Sequence, residues 1–364
     1  MIIVQVINSL ETGGAERLAL SLHKGYHTRG EKSILISIAG SEYGWTETGI
    51  FSLGLSSPYD PRAFSRLAGM PEETFLEHAD IIHSHLFPSQ LIVSLVREGK
   101  PLNGRLITTE HSTSNRRRGT VSGRLTDRLF YSLYDRIVCV SDGAAAELEY
   151  WIPDVSDRLE VISNGIDLSD FKAAGIFEDK DPLVILSVGR LSAAKNYHAA
   201  IEAFSILQGS CRTGLKYVIA GSGNLESELK ELAAELGVSS NMEFPGDVKD
   251  IPALMQGADI LFMPSAREGF GIAAVEAMAS GLPVVASDVP GIGDVVGRDG
   301  SCGTLVNPHS PGEMAEALLN LIDNQDSARQ MGLCGLKRAS LFNIESTVDE
   351  YLRLYREVLD ERNR

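Results

Sequence analysis

The sequence predicts an α/β protein built from two doubly wound parallel sheets. Short apolar runs alternate with amphipathic helical stretches along the whole chain, and the pattern restarts after Lys180. Repeated strand–helix–strand order is typical of parallel sheets with helices on both faces. The length of 364 residues also suits two domains, since a domain averages about 150 residues.

The first half of the chain contains six predicted strands. They cover Ile2–Ile7, Ser33–Ile38, Ile81–His83, Leu106–Thr109, Ile137–Val140 and Leu159–Ile162. Each is a short run rich in apolar residues, as expected of a strand buried on both faces. Apolar residues recur at helical spacing in Ala15–Tyr26 and Ser89–Arg97, which predicts helices there.

The second half repeats this organisation. Its predicted strands are Leu183–Val188, Tyr217–Ala220, Ile260–Met263 and Val284–Ala286, and its predicted helices are Glu226–Leu236, Ile272–Ser280 and Gly312–Ile322. A polar, glycine-containing stretch at 163–178 separates the two sets and is the predicted linker. Because ligands of such sheets bind beyond the carboxyl ends of the strands, we expect the functional residues in those loops.

Composition excludes several classes of protein. The longest apolar runs are far shorter than the roughly 20 residues of a membrane span. The N-terminal stretch 1–8 has no basic region and no cleavage site, which favours a buried strand over a signal peptide. The cysteines are widely scattered, which predicts reduced thiols in a cytoplasmic protein rather than a disulfide scaffold or a metal site. They are Cys139, Cys211, Cys302 and Cys334.

The charge is strongly negative and unevenly spread. A net charge of −16 argues against general nucleic-acid binding, which needs a basic surface. Residues 1–165 hold 16 Lys and Arg against 20 Asp and Glu, whereas residues 166–364 hold 17 against 29. The less acidic half, residues 1–165, also contains a cationic cluster. This uneven distribution of charge suggests that the two domains have different partners. The cluster consists of Arg116, Arg117, Arg118, Arg124 and Arg128.

Two sets of loop residues suit the binding of phosphate. Gly13 and Gly14 separate the first strand from a helix, where a backbone can approach a ligand and a helix N-terminus offers N–H groups to an anion. A tight turn explains these glycines equally well, and no G-x-G-x-x-G nicotinamide fingerprint is present. Arg190 ends a predicted strand and Lys195 precedes the next helix, so both should project over one sheet edge. The alternative is two solvated loop cations.

The segment 267–286 is the most informative part of the sequence. Glu268 follows the predicted strand Ile260–Met263, and Gly269–Gly271 present backbone N–H groups at a helix start. Since carboxylates accept paired hydrogen bonds from vicinal hydroxyls, Glu268 suits a sugar ring and Glu276, about two turns further along, suits a ribose. The alternatives are a carboxylate at a helix N-terminus and a solvated helix residue. Glu276 has apolar neighbours on both sides in the sequence, which disfavours a fully solvated position on the helix.

With seven residues between Glu268 and Glu276, EGFGIAAVEAMASGLPVVAS resembles the E-x7-E signature of retaining glycosyltransferase family 4, which has the GT-B fold. The resemblance covers nearly the whole chain, through TGGAER, TEHS, SNGID, GRLSAAKN, AGSG and FPGDVKD. It implies two Rossmann-like domains with an interdomain donor cleft. Residues 1–164, with a returning helix at about 347–364, would form the acceptor-side domain, and residues 165–346 the nucleotide-sugar-binding domain.

The resemblance also implies a role for each matching residue. The donor contacts would be Gly13, Gly14, Arg190, Lys195, Val248, Glu268, Gly269, Phe270, Gly271 and Glu276. In this scheme Arg190 and Lys195 neutralise the diphosphate, Glu276 holds the ribose and Val248 faces the base. Glu268 and His111 contact the transferred sugar, although an isolated histidine at a strand end is more often structural. The apolar residues 272–274 leave the identity of the sugar open.

The implied chemistry is metal-independent front-face transfer with retention. No carboxylate stands out as a glycosidase-type nucleophile, and in this family the leaving diphosphate is thought to accept the proton of the acceptor. The implied catalytic residues are His111, Glu268, Arg190 and Lys195. Their task would be to stabilise charge on the leaving group. No cofactor is expected beyond the nucleotide-diphosphate sugar itself, UDP- or GDP-linked, as co-substrate.

The arginine cluster suggests where the acceptor lies. Five cations in the acceptor-side half would attract anionic lipid headgroups or the phosphate of a lipid-linked glycan. This predicts a cytoplasmic enzyme, peripheral at the inner membrane face, that extends a lipid-linked or surface-polysaccharide glycan such as lipopolysaccharide. A solvated loop without a specific role is the alternative.

Three other functions remain open. A nucleotide-sugar epimerase of the same GT-B fold would convert its substrate without any acceptor, and it would need acid and base carboxylates that E-x7-E does not supply. A non-catalytic glycan or sugar-nucleotide binder would transfer nothing. A phosphorylase is disfavoured, because the sequence shows no context for a pyridoxal-phosphate lysine.

Overall fold

The computed structural model describes residues 1–361 except 12, 41, 72, 73, 75, 101, 115, 116, 175–180, 212 and 213. The chain forms two compact α/β units. The first comprises Met1–Gly165 with Ile344–Arg364, and the second comprises Ile166–Asn343. The boundaries expected from the sequence lie after residues 164 and 346.

The first unit contains an eight-stranded sheet. Its strands are β1 (Ile2–Ile7), β2 (Lys32–Ala39), β3 (Tyr43–Glu47), β4 (Ile50–Leu55), β5 (Ile81–His85), β6 (Arg105–Glu110), β7 (Arg136–Cys139) and β8 (Leu159–Val161). The helices among them are α1 (Gly14–Thr28), α2 (Arg62–Ala68), α3 (Ser89–Gly99), α4 (Val121–Tyr131) and α5 (Asp142–Trp151). The strand order is β3-β4-β2-β1-β5-β6-β7-β8. Among the described strands of this sheet, only β3 and β4 pair in antiparallel fashion. Most residues of β3 are exposed, and its sequence is not an apolar run.

The second unit contains a six-stranded sheet in which every pairing is parallel. Its strands are β9 (Leu183–Val188), β10 (Leu215–Ala220), β11 (Met242–Gly246), β12 (Ile260–Met263), β13 (Val284–Ser287) and β14 (Thr304–Val306). Its helices are α6 (Tyr197–Ser210), α7 (Glu226–Glu235), α8 (Ile251–Gln256), α9 (Ile272–Ala279), α10 (Ile292–Val296), α11 (Pro311–Asp323) and α12 (Gln325–Ala339). The strand order is β11-β10-β9-β12-β13-β14. The prediction of two α/β units with parallel sheets is confirmed.

The last helix, α13 (Ile344–Asp360), is part of the first unit. Its buried residues recur every three or four positions, as an amphipathic helix requires, and they pack with α1 and the first sheet. The Tyr355 hydroxyl lies 2.9 Å from the Tyr26 hydroxyl and 2.7 Å from His83 Nδ1, so polar contacts also fix the helix. No helix in the described part of the chain is long and apolar enough to cross a membrane.

The expectation of four reduced thiols is wrong for two of them. Cys302 and Cys334 form a disulfide, with Cα atoms 5.0 Å apart and a sequence separation of 32 residues. Cys302 lies just before β14 and Cys334 lies in α12, and nothing in their spacing shows that these segments meet. Cys139 and Cys211 are free. Burial raises the pKa of the Cys139 thiol.

Candidate active site

The strand order of the second sheet reverses between β9 and β12. The chain runs from β9 to β10 and β11 on one side, then returns to β12 on the other side. Open α/β sheets bind ligands beyond the carboxyl ends of the strands at such a reversal. The loops that leave the sheet here are 189–196 after β9 and 264–271 after β12. They carry Arg190, Lys195 and Glu268, which are three of the predicted site residues.

An ion pair between Lys195 and Glu268 joins these two loops. Lys195 Nζ donates to Glu268 Oε2, and the side chains are 23% and 16% exposed, respectively. Ser265 Oγ donates to the same carboxylate oxygen at 3.3 Å. The backbone connects the loops too, because Ala266 N donates to Ala194 O at 2.9 Å. The structure thus brings Lys195, which is predicted to bind phosphate, into direct contact with Glu268, which is predicted to bind the sugar.

Asn196 fixes the end of the first loop. Its backbone is left-handed, with φ 56° and ψ 38°, a conformation that asparagine tolerates better than most residues. Its Nδ2 donates to Pro264 O at 3.1 Å and to Pro308 O at 2.8 Å. Asn196 and Ser265 are absent from the predicted set. The signal for Asn196 is an asparagine directly before a helix, whereas Ser265 has no sequence signal.

Gly291 packs closely against the backbone of the loop 264–271. Gly269, Phe270 and Gly271 are all buried, and Gly271 is the N-cap of α9, with φ 100°. Gly291 has φ 92°, and a Cβ at that position would lie 2.6 Å from Gly269 O. Only glycine combines that backbone conformation with so close an approach. Gly291 is also missing from the predicted set, although the Pro-Gly pair at 290–291 is a turn signal.

Glu276 is buried within α9, with 1% of its surface exposed. The alternative of a solvated helix residue is therefore wrong. Its backbone carbonyl accepts from Ser280 N and Ser280 Oγ, both at 3.0 Å, at the end of the helix. A buried carboxylate is costly unless polar or charged groups compensate it.

The two other predicted donor residues of this unit are less constrained. Arg190 is exposed one residue after Gly189, in the loop that follows β9. Val248 is half-buried and follows β11, the edge strand. Within the described residues, no group of three or more His, Cys, Asp or Glu side chains is arranged to hold a metal ion.

In the first unit the strand order reverses between β1 and β5, and Gly13 and Gly14 follow β1. Gly13 is the N-cap of α1. A Cβ on Gly13 would lie 2.0 Å from Glu16 Oε2, so the Glu16 carboxylate folds back over this glycine. A carboxylate in the first turn is favourable at a helix N-terminus. An anion approaching here must displace Glu16. Thr12, in the same loop, lies outside the described residues.

His111 directly follows β6 and is half-buried. Its Nε2 lies 3.3 Å from His85 Nδ1. Burial lowers the pKa of His111 to about 3, so the ring is neutral at pH 7. His85 is missing from the predicted set. The signal for it is the alternation of His83 and His85 on one strand, which puts both rings on the same sheet face.

Two arginines of the predicted cluster have partners inside the first unit. Arg117 Nε donates to the fully buried Asp127 at 2.5 Å. Arg118 is 8% exposed, and its Nη2 lies 3.8 Å from Glu110 Oε2. These two side chains stabilise the fold around α4 and are not freely presented to a ligand. Arg116 lies outside the described residues.

The exposed face of α4 carries the other two arginines. Arg124 and Arg128 are both exposed. Beside them runs an aliphatic stripe of Val121, Leu125 and Leu129, which are 81%, 57% and 71% exposed. Residues four apart lie on one side of a helix, so the stripe is continuous. The helix therefore presents an apolar and cationic surface.

Comparisons with known proteins match both units of the chain to glycosyltransferases. The family model "Glycosyltransferase Family 4" matches residues 12–170, and the model "Glycosyl transferases group 1" matches residues 169–337. The D-inositol 3-phosphate glycosyltransferase of Corynebacterium urealyticum is 29% identical over 338 residues, covering 83% of this chain and 78% of that protein.

Solved structures share the fold over nearly the full length. Anabaena HepE in complex with UDP matches with a TM-score of 0.78 and 20% identity, covering 98% of this chain and 100% of that chain. Sucrose-phosphate synthase from Thermosynechococcus elongatus matches with a TM-score of 0.83 and 19% identity, covering 99% and 100%. The family resemblance seen in the sequence is confirmed, and the chain belongs to glycosyltransferase family 4, with the GT-B fold.

Proposed function

We propose that this glycosyltransferase is a retaining enzyme that moves a sugar from a UDP- or GDP-linked nucleotide sugar to a glycan or lipid-linked glycan. The Lys195–Glu268 contact carries the proposal. It sets a cation suited to a phosphate beside a carboxylate suited to sugar hydroxyls, as the linkage between phosphate and sugar in such a donor requires. Crystal complexes of HepE with UDP and with UDP-glucose support a donor of this class.

In this proposal the bound donor replaces the contact between Lys195 and Glu268 and becomes the new partner of both side chains. The diphosphate takes up Lys195 and draws in the exposed Arg190, while Glu268 turns its released oxygen to the transferred sugar. The backbone N–H groups at the start of α9 add positive potential. The buried Glu276 accepts from the ribose hydroxyls, and Val248 contacts the base through its backbone.

The transfer step itself needs no protein nucleophile. The bond between the anomeric carbon and the diphosphate oxygen breaks, and the acceptor oxygen bonds to the same face of that carbon. The proton of the acceptor hydroxyl passes to the departing diphosphate. Lys195 and Arg190 stabilise the negative charge that develops on the leaving group. We propose that no metal ion takes part and that the nucleotide sugar is the only co-substrate.

The first unit contributes two predicted elements. Gly13 and Gly14 accept a phosphate once the Glu16 carboxylate moves away from the N-terminus of α1, and His111 contacts the transferred sugar. We further propose that the exposed face of α4, with Val121, Leu125, Leu129, Arg124 and Arg128, contacts an anionic membrane surface. An aliphatic stripe edged by cations is the pattern of an interfacial helix. A lipid-linked acceptor would be reached from that surface.

A donor screen tests the proposed function. UDP-glucose, UDP-galactose, UDP-N-acetylglucosamine and GDP-mannose are compared for their effect on Tm, because a ligand at 100 times its Kd stabilises the native state by about 2.7 kcal/mol. The stabilising donor is then incubated with glycan acceptors, and the anomeric configuration of the product is read by NMR. Retained configuration is expected. An inverted product, or conversion of the donor without any acceptor, would contradict the proposal, and the second result would favour an epimerase.

A further inference from the structure

A chain of hydrogen bonds on one face of the first sheet leads from α1 to His111. Gln5 Nε2 donates to Ala19 O at 3.3 Å. Gln5 Oε1 lies 3.1 Å from His85 Nε2, and His85 Nδ1 lies 3.3 Å from His111 Nε2. Gln5 and His85 are fully buried, so water does not compete for these contacts. The strands that carry them, β1 and β5, are direct neighbours.

The chemistry of the partners fixes the direction of each hydrogen bond. A backbone carbonyl only accepts, so the amide nitrogen of Gln5 faces Ala19 and its oxygen faces His85. That oxygen also only accepts, so the proton of His85 is on Nε2. In a neutral imidazole the other nitrogen is then an acceptor. His85 Nδ1 therefore accepts from His111 Nε2–H, and the remaining nitrogen of His111, Nδ1, carries a lone pair.

Both rings are neutral at physiological pH, as this assignment requires. Burial and the neighbouring histidines lower the pKa of His85 well below its ordinary value, and burial lowers the pKa of His111 to about 3. The described residues make no hydrogen bond to His111 Nδ1. His111 as a whole residue is half-buried, directly after β6.

We propose that Gln5 and His85 are positioning residues that set the tautomer of His111, so that His111 offers an acceptor nitrogen, Nδ1, to a hydroxyl of the transferred sugar. The contact with the sugar rests on the proposed function, whereas the tautomer does not. The sugar hydroxyl would donate to His111. A substituent that cannot donate, such as fluorine, would leave this nitrogen without a partner and be disfavoured.

The tautomer is tested by long-range ¹H–¹⁵N correlation spectra of the full chain labelled with ¹⁵N-histidine, at pH 7 and without any substrate. His111 is identified by the signal lost in His111→Gln. We expect the wild-type rings of His85 and His111 both to be protonated on Nε2. Protonation of His111 on Nδ1 in the wild type would overturn the proposal.

Two variants then separate the relay from general packing. Gln5→Leu removes the acceptor for His85 Nε2–H, so the His111 signal should move toward the Nδ1-protonated pattern. Ser84→Ala is the matched control. Ser84 is a buried polar residue next to His85, but its hydroxyl contacts Tyr134, at 2.7 Å, and not the relay. It should leave the His111 pattern unchanged. An unchanged pattern in a folded Gln5→Leu, or an equal shift in both variants, would refute the relay.

Kinetics with the nucleotide sugar that gives the largest Tm shift complete the test. Gln5→Leu should lower kcat by about tenfold, the effect of one misdirected hydrogen bond, with little change in KM for the donor. Gln5→Leu should also lower the ratio of kcat/KM for the unmodified nucleotide sugar to kcat/KM for its deoxyfluoro analogues. Loss of stability alone does not change this ratio. If the tautomer shifts as expected while kcat and this ratio stay as in the wild type, the relay stands and the sugar contact of His111 fails.

Discussion

Lys195 and Glu268 are 73 residues apart in the sequence, and their side chains form an ion pair where the strand order of the second sheet reverses. The pair is partly buried, with side-chain exposures of 23% and 16%, so solvent screens it less than a surface pair. In the proposed function, a donor that replaces this contact gives Lys195 a phosphate partner and Glu268 the hydroxyl groups of a sugar, so neither side chain is left unpaired. The ion pair thus joins the two loops before such a donor arrives.

The first prediction concerns Lys195. Lys195→Ala should lower the rate of transfer by about ten- to a thousandfold, as expected when one stabiliser of developing charge is removed. Arg190→Ala should fall in the same range but have the smaller effect, because exposed Arg190 must lose side-chain freedom to bind. Initial rates with the stabilising donor measure both effects. Lys216→Ala is the control, since Lys216 also forms an ion pair with a carboxylate, Glu243, at the start of β10. Wild-type rates in Lys195→Ala would exclude a phosphate role.

The second prediction separates Glu268 from Glu276. Glu276→Gln should weaken the binding of the donor and of the free nucleoside diphosphate alike, because the ribose is present in both. Glu268→Gln should lower the transfer rate and leave nucleoside diphosphate affinity unchanged or slightly higher, because Lys195 loses its carboxylate partner and becomes available to phosphate. Isothermal titration calorimetry with UDP and GDP measures the affinities. The reverse pattern would show that the two roles have been exchanged.

A third prediction tests the support of the 264–271 loop. Gly291→Ala should destabilise the protein and lower transfer, because its Cβ would lie 2.6 Å from Gly269 O and force the loop to move. Gly300→Ala is the matched control. Gly300 also has a positive φ, 76°, but a Cβ there meets nothing within 4 Å. Both variants place an alanine at a positive φ, but only Gly291→Ala adds a close contact with the backbone of the loop. Denaturant unfolding and kcat should therefore separate them, and equal losses would mean that Gly291 does not support the loop.

The sequence predicts the strands that carry the site better than it predicts the edges of the sheets. Leu183–Val188 and Ile260–Met263 are predicted with the bounds that the structure has, because central strands buried on both faces are continuous apolar runs. The exposed β3 has no such run and is missed. The Cys302–Cys334 disulfide is missed because sequence spacing does not show which helix packs beside which loop.

The same limit applies to the site residues. Position after a strand was enough to single out Lys195 and Glu268, since the ends of neighbouring parallel strands meet at one sheet edge. It could not separate Arg117 and Arg118 from Arg124 and Arg128. Which arginine turns inward depends on the buried acid that it meets, and the sequence does not show that Asp127 and Glu110 are the acids that the fold buries.

The last prediction concerns the exposed face of α4. Arg124→Ser/Arg128→Ser should weaken binding to vesicles of phosphatidylcholine with phosphatidylglycerol by about tenfold, since each arginine near an anionic surface contributes about 1 kcal/mol and Arg128 is partly neutralised by Asp154. Leu125→Ser/Leu129→Ser should weaken it as well, because the aliphatic stripe no longer enters the interface.

Co-sedimentation at low and high salt measures this binding, with vesicles of phosphatidylcholine alone for comparison. Leu333→Ser/Leu341→Ser is the matched control, since it removes two leucines that are 51% and 66% exposed in the second unit. The wild type should bind the anionic vesicles only, and less so at high salt, because salt screens the attraction between the arginines of α4 and the anionic headgroups. If the wild type does not bind, or if all three variants bind equally well, α4 is not a membrane contact.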